Sequence, residues 1–271
     1  MRKQVDALLT AVVVIGSLLV VGILMAIIAQ VVVSGLPEVS WEFLTTEAAA
    51  GGKAGGIFNS IIATLLVTLI GILIAAPLGV GSAVYLEEYS TSSRLNEIIT
   101  MAAETMAGIP SIVYGLFGLV FFVIMLGWGW SILAGGCTLA LMALPLIIRT
   151  SQEAIRAVPH EYRENSMALG ASREQTLLRL ILPAASPGIL GGIVLSVGRI
   201  AGETAAVLLT AGSALGIPRS LFDTGRPLPV HLYILASEGI SMSKAYGTAL
   251  VLIGLVLIFN FCVYRLRKGL S

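Results

Sequence analysis

The chain has 271 residues, of which 57% are hydrophobic and 11% charged, and its net charge is +1. So much apolar surface excludes a soluble domain of this length and suits helices facing lipid, so the composition reads as an all-α polytopic membrane protein forming one unit over 1–271. The near-neutral balance, with no run of lysine and arginine, excludes a nucleic-acid binder.

A helix needs about 20 apolar residues to cross the hydrocarbon core of a bilayer. Six stretches meet this requirement, at 8–33, 57–85, 98–127, 131–149, 187–212 and 245–264. The first follows Arg2 and Lys3 and is longer than the apolar core of a signal peptide, which marks it as an anchor. Six crossings put both termini on one side. Of the 16 lysines and arginines, eleven fall on that side, four on the other, and Arg199 within the membrane. Positive charge accumulates on the cytoplasmic face, so both termini are expected there.

The outer segment 34–56 contains the flexible stretch "AAAGGKAGG" and is too short to bury a core of its own. Its lysine follows glycines but lacks the GxxxxGK[ST] spacing of a phosphate cradle, and no such motif occurs elsewhere, so the chain is read as having no ATP site or other cofactor of its own. In the third span Glu104 lies about six residues in, near enough to the end to serve either a substrate path or the interface. "GIPS" at 108–111 should break or kink that helix, because Pro110 removes a backbone donor.

The fourth and fifth spans are joined by a polar loop at 151–183. Pro159 suits a helix start, and Gly170 suits the left-handed residue that stops a helix. Ser172 and Gln175 match a capping box for a second short helix, which Pro183 should end. The two helices form a knob, with Tyr162, Met167 and Leu169 available to fill a groove and Glu161, Arg163, Glu164 and Arg173 as its rim. Such a pair either lies on lipid headgroups or docks on a protein, and its mixed charges favour a protein.

The fifth span places Arg199 near the middle of the membrane and Glu203 four residues on, hence on the same face of a continuous helix. An arginine at that depth costs about 2.5–3.5 kcal/mol on insertion scales, so it should point inward. The pair either locks the bundle or lines an anion path. In a path, the guanidinium would donate to the oxygens of an oxyanion, and the Glu203 carboxylate would favour an oxyanion that keeps an O–H over one that has none. The outer segment 213–244 includes "LPVHLYILASEG", which either dips into the interface, lines a vestibule or forms a surface loop. His231 has no companions at ligand spacing, so no metal site is expected. Cys137 and Cys262 stand in apolar runs without a CxxC pattern and read as small buried side chains.

"ENSMALGASREQTLLRLILP" resembles the coupling loop of type I ABC importer permeases, which carries Glu-Ala-Ala, then Gly, then Ile-x-Leu-Pro. Glu164, Gly170, Leu182 and Pro183 stand at matching positions, while Asn165, Ser166 and Leu180 depart from the pattern. "GGIFNSIIATLLVTLIGILIAAPLGVGSAVYLEEY", "AGIPSIVYGLFG", "GRIAGETAAVLLTA" and "GRPLPVHLYILASEG" resemble phosphate-specific permeases, the last pointing to their PstA-type subunit. The resemblance implies a MetI-like fold of six transmembrane helices in a bacterial inner membrane. It also implies a heterodimer with a PstC-type permease, a dimeric cytoplasmic ATPase that binds ATP and Mg, and an extracytoplasmic phosphate-binding protein. Tyr162, Glu164, Met167, Leu169, Gly170, Arg173 and Pro183 would then couple to the ATPase, and Arg199, Glu203 and Glu104 would line the path. Other readings are a sulfate or molybdate permease, a gradient-driven carrier using Arg199, Glu203 and Glu104 as a proton relay, and a membrane scaffold.

Overall fold

The computed structural model describes residues 2–90 and 93–270. The side chains of Arg2, Lys3, Arg267 and Lys268, all part of the charge count, lie outside the described residues.

In lipid the backbone finds partners only within its own helix or a closed barrel, and these apolar runs become helices. In chain order they are α1 (Arg2–Gly35), α2 (Trp41–Thr45), a hairpin of β1 (Ala48–Ala49) and β2 (Ala54–Gly55), α3 (Phe58–Val84), α4 (Ser93–Ala107) and α5 (Ser111–Gly118). There follow α6 (Ile132–Arg156), α7 (His160–Ala168), α8 (Arg173–Thr176), α9 (Leu182–Ala201), α10 (Ala205–Thr210), α11 (Leu228–Ser237) and α12 (Met242–Leu270). Among the described residues, five helical stretches are long and apolar enough to cross a membrane: Leu9–Glu38, Phe58–Tyr89, Ile132–Arg156, Arg173–Ala201 and Met242–Cys262. A sixth is Asn96–Ala107 with Ser111–Met125, bent by 102°. The break falls at Gly108–Pro110, where the missing donor of Pro110 was expected to interrupt the helix.

Two boundaries differ from the sequence reading. Pro183 does not end a helix: α8 runs through a π-helical turn, Leu177–Ile181, directly into α9, where Pro183 occupies the first turn. The wider π turn bonds i to i+5 and so accommodates a residue that cannot donate. The fifth span, in turn, is not one helix to residue 212. It stops at Ala201, and Gly202 to Thr204 form a break before α10. Glycine is a poor helix former, and the neighbouring Glu203 gains more by capping α10 than by extending α9.

The core lies where α3, α6 and α9 meet. Ala63, Val67, Ala75, Leu139, Ala143, Ile147 and Ile200 are buried there. Glycines set the spacing: a Cβ on Gly79 would sit 2.7 Å from Ile147 Cγ2, and one on Gly188 would sit 2.6 Å from Ala154 Cβ. Between helices in lipid, close backbone approach replaces the hydrophobic driving force available in water. A second cluster, with Ala83, Ile155, Val158, Leu177, Ile181 and Ile189, roots the 151–183 knob on the bundle. By contrast α1 packs mainly along α12 and exposes its apolar side chains throughout Leu9–Ala29.

At the opposite end the "AAAGGKAGG" stretch is an ordered hairpin and not a loose loop. Lys244 Nζ donates to Gly55 O at 2.7 Å, and Arg226 Nη1 donates to Gly51 O at 3.2 Å, which pins it to the bundle. Beneath it, α11 is a packed helix with Leu228, Val230, His231 and Leu235 buried. The two cysteines are free, and Cys262, expected to be buried, lies on the surface of α12.

Candidate functional site

Arg199 projects from the last turn of α9. The antiparallel register of α9 on α6 follows from two close approaches, Gly188 on Ala154 and Gly192 on Thr150. Continued by the helix rise, that register sets Arg199 opposite the middle of α6. The side chain faces a cavity of about 280 Å³ whose walls include Glu104, Pro145, Arg149, Glu153 and Arg156. A wider recess shares Thr100, Glu104 and Arg156 and extends towards Asn96 and Glu97. Arg199 and Glu104 therefore meet at one cavity, although they come from different spans.

Glu203 is placed differently. The break after Ala201 takes it off the face it would share with Arg199, and no ion pair joins the two among the described residues. Its Oε1 accepts from the backbone N–H of Ala206 at 3.3 Å, so it caps the N-terminus of α10, where negative charge is favoured. Arg199 itself has no hydrogen-bond or ion-pair partner among the described residues. Its side chain is exposed on this chain, so its planar fork of N–H donors is open to a ligand at the cavity.

Arg149 was not singled out in the sequence, where it was counted only for sidedness. It lines the same cavity, 3.2 Å from Glu153 through Nε and 3.9 Å from Glu104 through Nη1. All three side chains are more than half exposed, so these pairs are weak and easily exchanged. The signal that could have found Arg149 is its position one turn beyond Pro145, on the same helix face as the cavity wall.

The knob follows the sequence reading closely. α7 starts after Pro159 and ends before Gly170, whose φ of +87° is the left-handed conformation expected of it. Ser172 and Gln175 form the complete capping box of α8. The Ser166 and Thr176 hydroxyls bond at 2.8 Å and tie the two helices together. Tyr162, Met167 and Leu169 are exposed, Leu169 at 89%, which leaves an apolar tip facing outward. Glu164 lies on the exposed face beside His160, and the Arg173 guanidinium stacks over the Tyr89 ring at 5.2 Å.

Arg163 points inward instead. Its side chain is 15% exposed and pairs with Glu88, 9% exposed, at the end of α3. Sequence reasoning placed Arg163 on the knob's rim and gave Glu88 no role.

At the far end, His231 is 1% exposed, and neither ring nitrogen has a partner among the described residues. Burial lowers its pKa to about 4, helped by the nearby charges of Arg226 and Lys244. Burial also lowers the Arg226 pKa, opposed by Glu238. The guanidinium stays charged and donates to Ser213 O at 2.6 Å.

Five apolar spans with a bent sixth, a charged cavity beside Arg199 and a structured polar knob define a multi-pass membrane transport protein. The chain belongs to the binding-protein-dependent transport system inner membrane components, whose family pattern matches residues 75–271. It is 34% identical to the probable ABC transporter permease protein YqgI of Bacillus subtilis, over 96% of this chain and 94% of that one. It is 36% identical to the phosphate transport system permease protein PstA 1 of Mycobacterium tuberculosis H37Rv, over 79% of this chain and 70% of that one. Among solved structures, the fold is similar to that of a bacterial alginate ABC transporter, with a TM-score of 0.70 and 16% identity, over 96% of this chain and 93% of that one. It is also similar to the MetNI methionine ABC transporter in inward-facing form, with a TM-score of 0.63 and 21% identity, over 80% and 94%. The chain is thus a permease subunit of the ABC importer class with the MetI-like fold.

Proposed function

We propose that the chain, as one permease domain, forms half of the translocation path of an ATP-driven phosphate importer in a bacterial inner membrane. The observation that carries this reading is the guanidinium of Arg199, without a hydrogen bond or ion pair among the described residues, on a cavity that Arg149 also lines. A planar fork of N–H donors matches two oxygens of a tetrahedral oxyanion, and its charge offsets the cost of stripping water from that anion. Glu104 and Glu153 beside Arg149 keep the anion from binding too tightly, since a path must release what it admits. Glu203 is not among this cavity's walls; beyond the break its second oxygen, without a hydrogen bond among the described residues, accepts the phosphate O–H further along the path. The names of several relatives support phosphate as the anion.

The work comes from a partner. A dimeric cytoplasmic ATPase, which binds ATP and Mg, receives the apolar tip of Tyr162, Met167 and Leu169 in a groove. Glu164, Gly170, Arg173 and Pro183 shape and hold that tip. Closure of the ATPase moves the knob, and the bundle rocks against a PstC-type permease to expose the cavity alternately to each side. Both termini and the knob lie in the cytoplasm, and the pinned hairpin and α11 face an extracytoplasmic phosphate-binding protein. The test is ATP-dependent phosphate uptake by vesicles holding all four component types. Uptake by the unaltered complex and its loss in Arg199→Ala, with assembly preserved, are expected. Unchanged uptake in the variant would remove Arg199 from the path.

A further inference from the structure

The turn that continues α3, Tyr85–Tyr89, contains three consecutive residues that take part in neither the cavity nor the knob's tip, and each holds a different element. Glu87 accepts from Arg156 Nε at 2.7 Å and from Gln152 Nε2 at 2.9 Å, both at the end of α6. Glu88 accepts from Arg163 of α7 through Nε at 3.0 Å and Nη2 at 2.7 Å. Tyr89 lies under the guanidinium of Arg173 of α8. The turn itself, Tyr85–Tyr89, is π-helical.

The middle contact is the buried one. Besides Glu88, the Arg163 guanidinium donates to Ile155 O at 3.1 Å, in the last turn of α6, and to Val158 O at 3.0 Å, just beyond it. One side chain on the knob is therefore bonded at once to the ends of two core helices. The apolar contacts around it, Val158, Leu177 and Ile181 on Ala83, have no preferred direction and can slide. A guanidinium on a buried carboxylate has a fixed geometry and cannot slip gradually, because parting the two leaves a charge unpaired away from water.

We propose that the Glu88–Arg163 pair is a clasp that makes the knob and the adjoining part of α3 one rigid lever. Force applied to the knob then reaches α3 and, through Gly79 on Ile147 and Ile70 on Gly136, the middle of α6 beside the cavity. Without the clasp the knob moves by itself and the cavity stays as it was. Glu88 and Arg163 are positioning residues, acting on the transported ion only through α3 and α6. The inference rests on the reading of the chain as an ATPase-driven permease.

The test measures the lever directly. In the full complex, with Cys137 and Cys262 replaced by alanine, spin labels are placed at Leu78→Cys on α3 and Glu161→Cys on the knob. The distance between them is read with the ATPase empty and with nucleotide trapped. With the clasp intact it should be narrow and the same in both states. In Glu88→Gln it should broaden and shift on trapping, while ATP hydrolysed per anion imported rises roughly tenfold, the size of a typical coupling energy between sites. Should Glu88→Gln not assemble, Arg163→Lys keeps the charge and loses the fork, and the same result is expected of it. A label distance that changes on trapping in the intact complex overturns the clasp, as does a variant with the unaltered distance and the unaltered ratio. The distance needs nucleotide but no anion, so it is decided separately from phosphate uptake by the unaltered complex, which decides the function. An ATPase that does not bind the chain at all overturns both.

Discussion

Arg163 and Arg199 are the same side chain in opposite circumstances. Arg163 is nearly buried, and its nitrogens are bonded to Glu88 and to two backbone carbonyls. Arg199 faces a cavity and has no partner among the described residues. A guanidinium whose donors all point at the protein holds parts together and has nothing left for a ligand, whereas one with its donors free within a span is costly unless something else comes to bind it. The difference separates transmission from transport.

The comparison is tested most severely at Arg199 itself. Arg199→Ala should lower phosphate uptake by about a hundredfold, the scale of losing a preorganised charge-stabilising donor, and leave the thermal midpoint of the purified complex where it was. A falling midpoint would show that Arg199 holds the bundle after all. The converse holds for Arg163→Ala, which strands the Glu88 carboxylate and should loosen the knob by about 3–5 kcal/mol, read as faster amide hydrogen exchange across 157–176.

A separate, acid-dependent loss of stability should fall at His231. Its pKa of about 4 in the folded chain lies below the ordinary 6.5. Between those values the unfolded chain takes up a proton that the folded chain refuses. This contribution is therefore complete above pH 6.5 and is lost as the pH falls towards 4, by up to about 3 kcal/mol. His231→Phe should flatten the acid side of a melting-temperature profile.

Smaller effects sharpen the contrast. Gly170→Ala puts a Cβ on a residue with φ of +87° and should cost about 1 kcal/mol within the knob, seen as faster local exchange with a modest fall in uptake. A large loss of uptake there would mean that the turn, and not the Arg163 clasp, holds the knob in place. Glu203→Gln should shift the ratio of phosphate to sulfate uptake by about 1 kcal/mol or less, one hydrogen bond's worth, while Arg199 continues to work. An unaltered ratio would leave Glu203 as a helix cap alone.

The spans were legible because the bilayer enforces length and apolarity, and the knob was legible because proline, glycine and a capping box act within a few residues of themselves. "GIPS" announced its own break. The gap after Ala201 was hidden inside an apolar run, where a single glycine is tolerated and only the capping of α10 by Glu203 tips the balance. The pairing of Arg199 and Glu203 on one face followed from assuming a continuous helix and fails with it. Arg149 and Glu88 could not be assigned from local pattern at all. Charges at the end of a span look alike whether they meet water, a cavity wall or another helix, and only the packing of α3, α6 and α7 distinguishes them.

The π-helical turn at Tyr85–Tyr89 makes this part of the chain sensitive to residue number more than to residue type. Removing one residue would tighten it to an ordinary α turn and rotate everything that follows by about 100°, carrying Glu87, Glu88 and Tyr89 away from all three of their arginines together. A single-codon deletion there should therefore be more damaging than any one substitution in the same five positions.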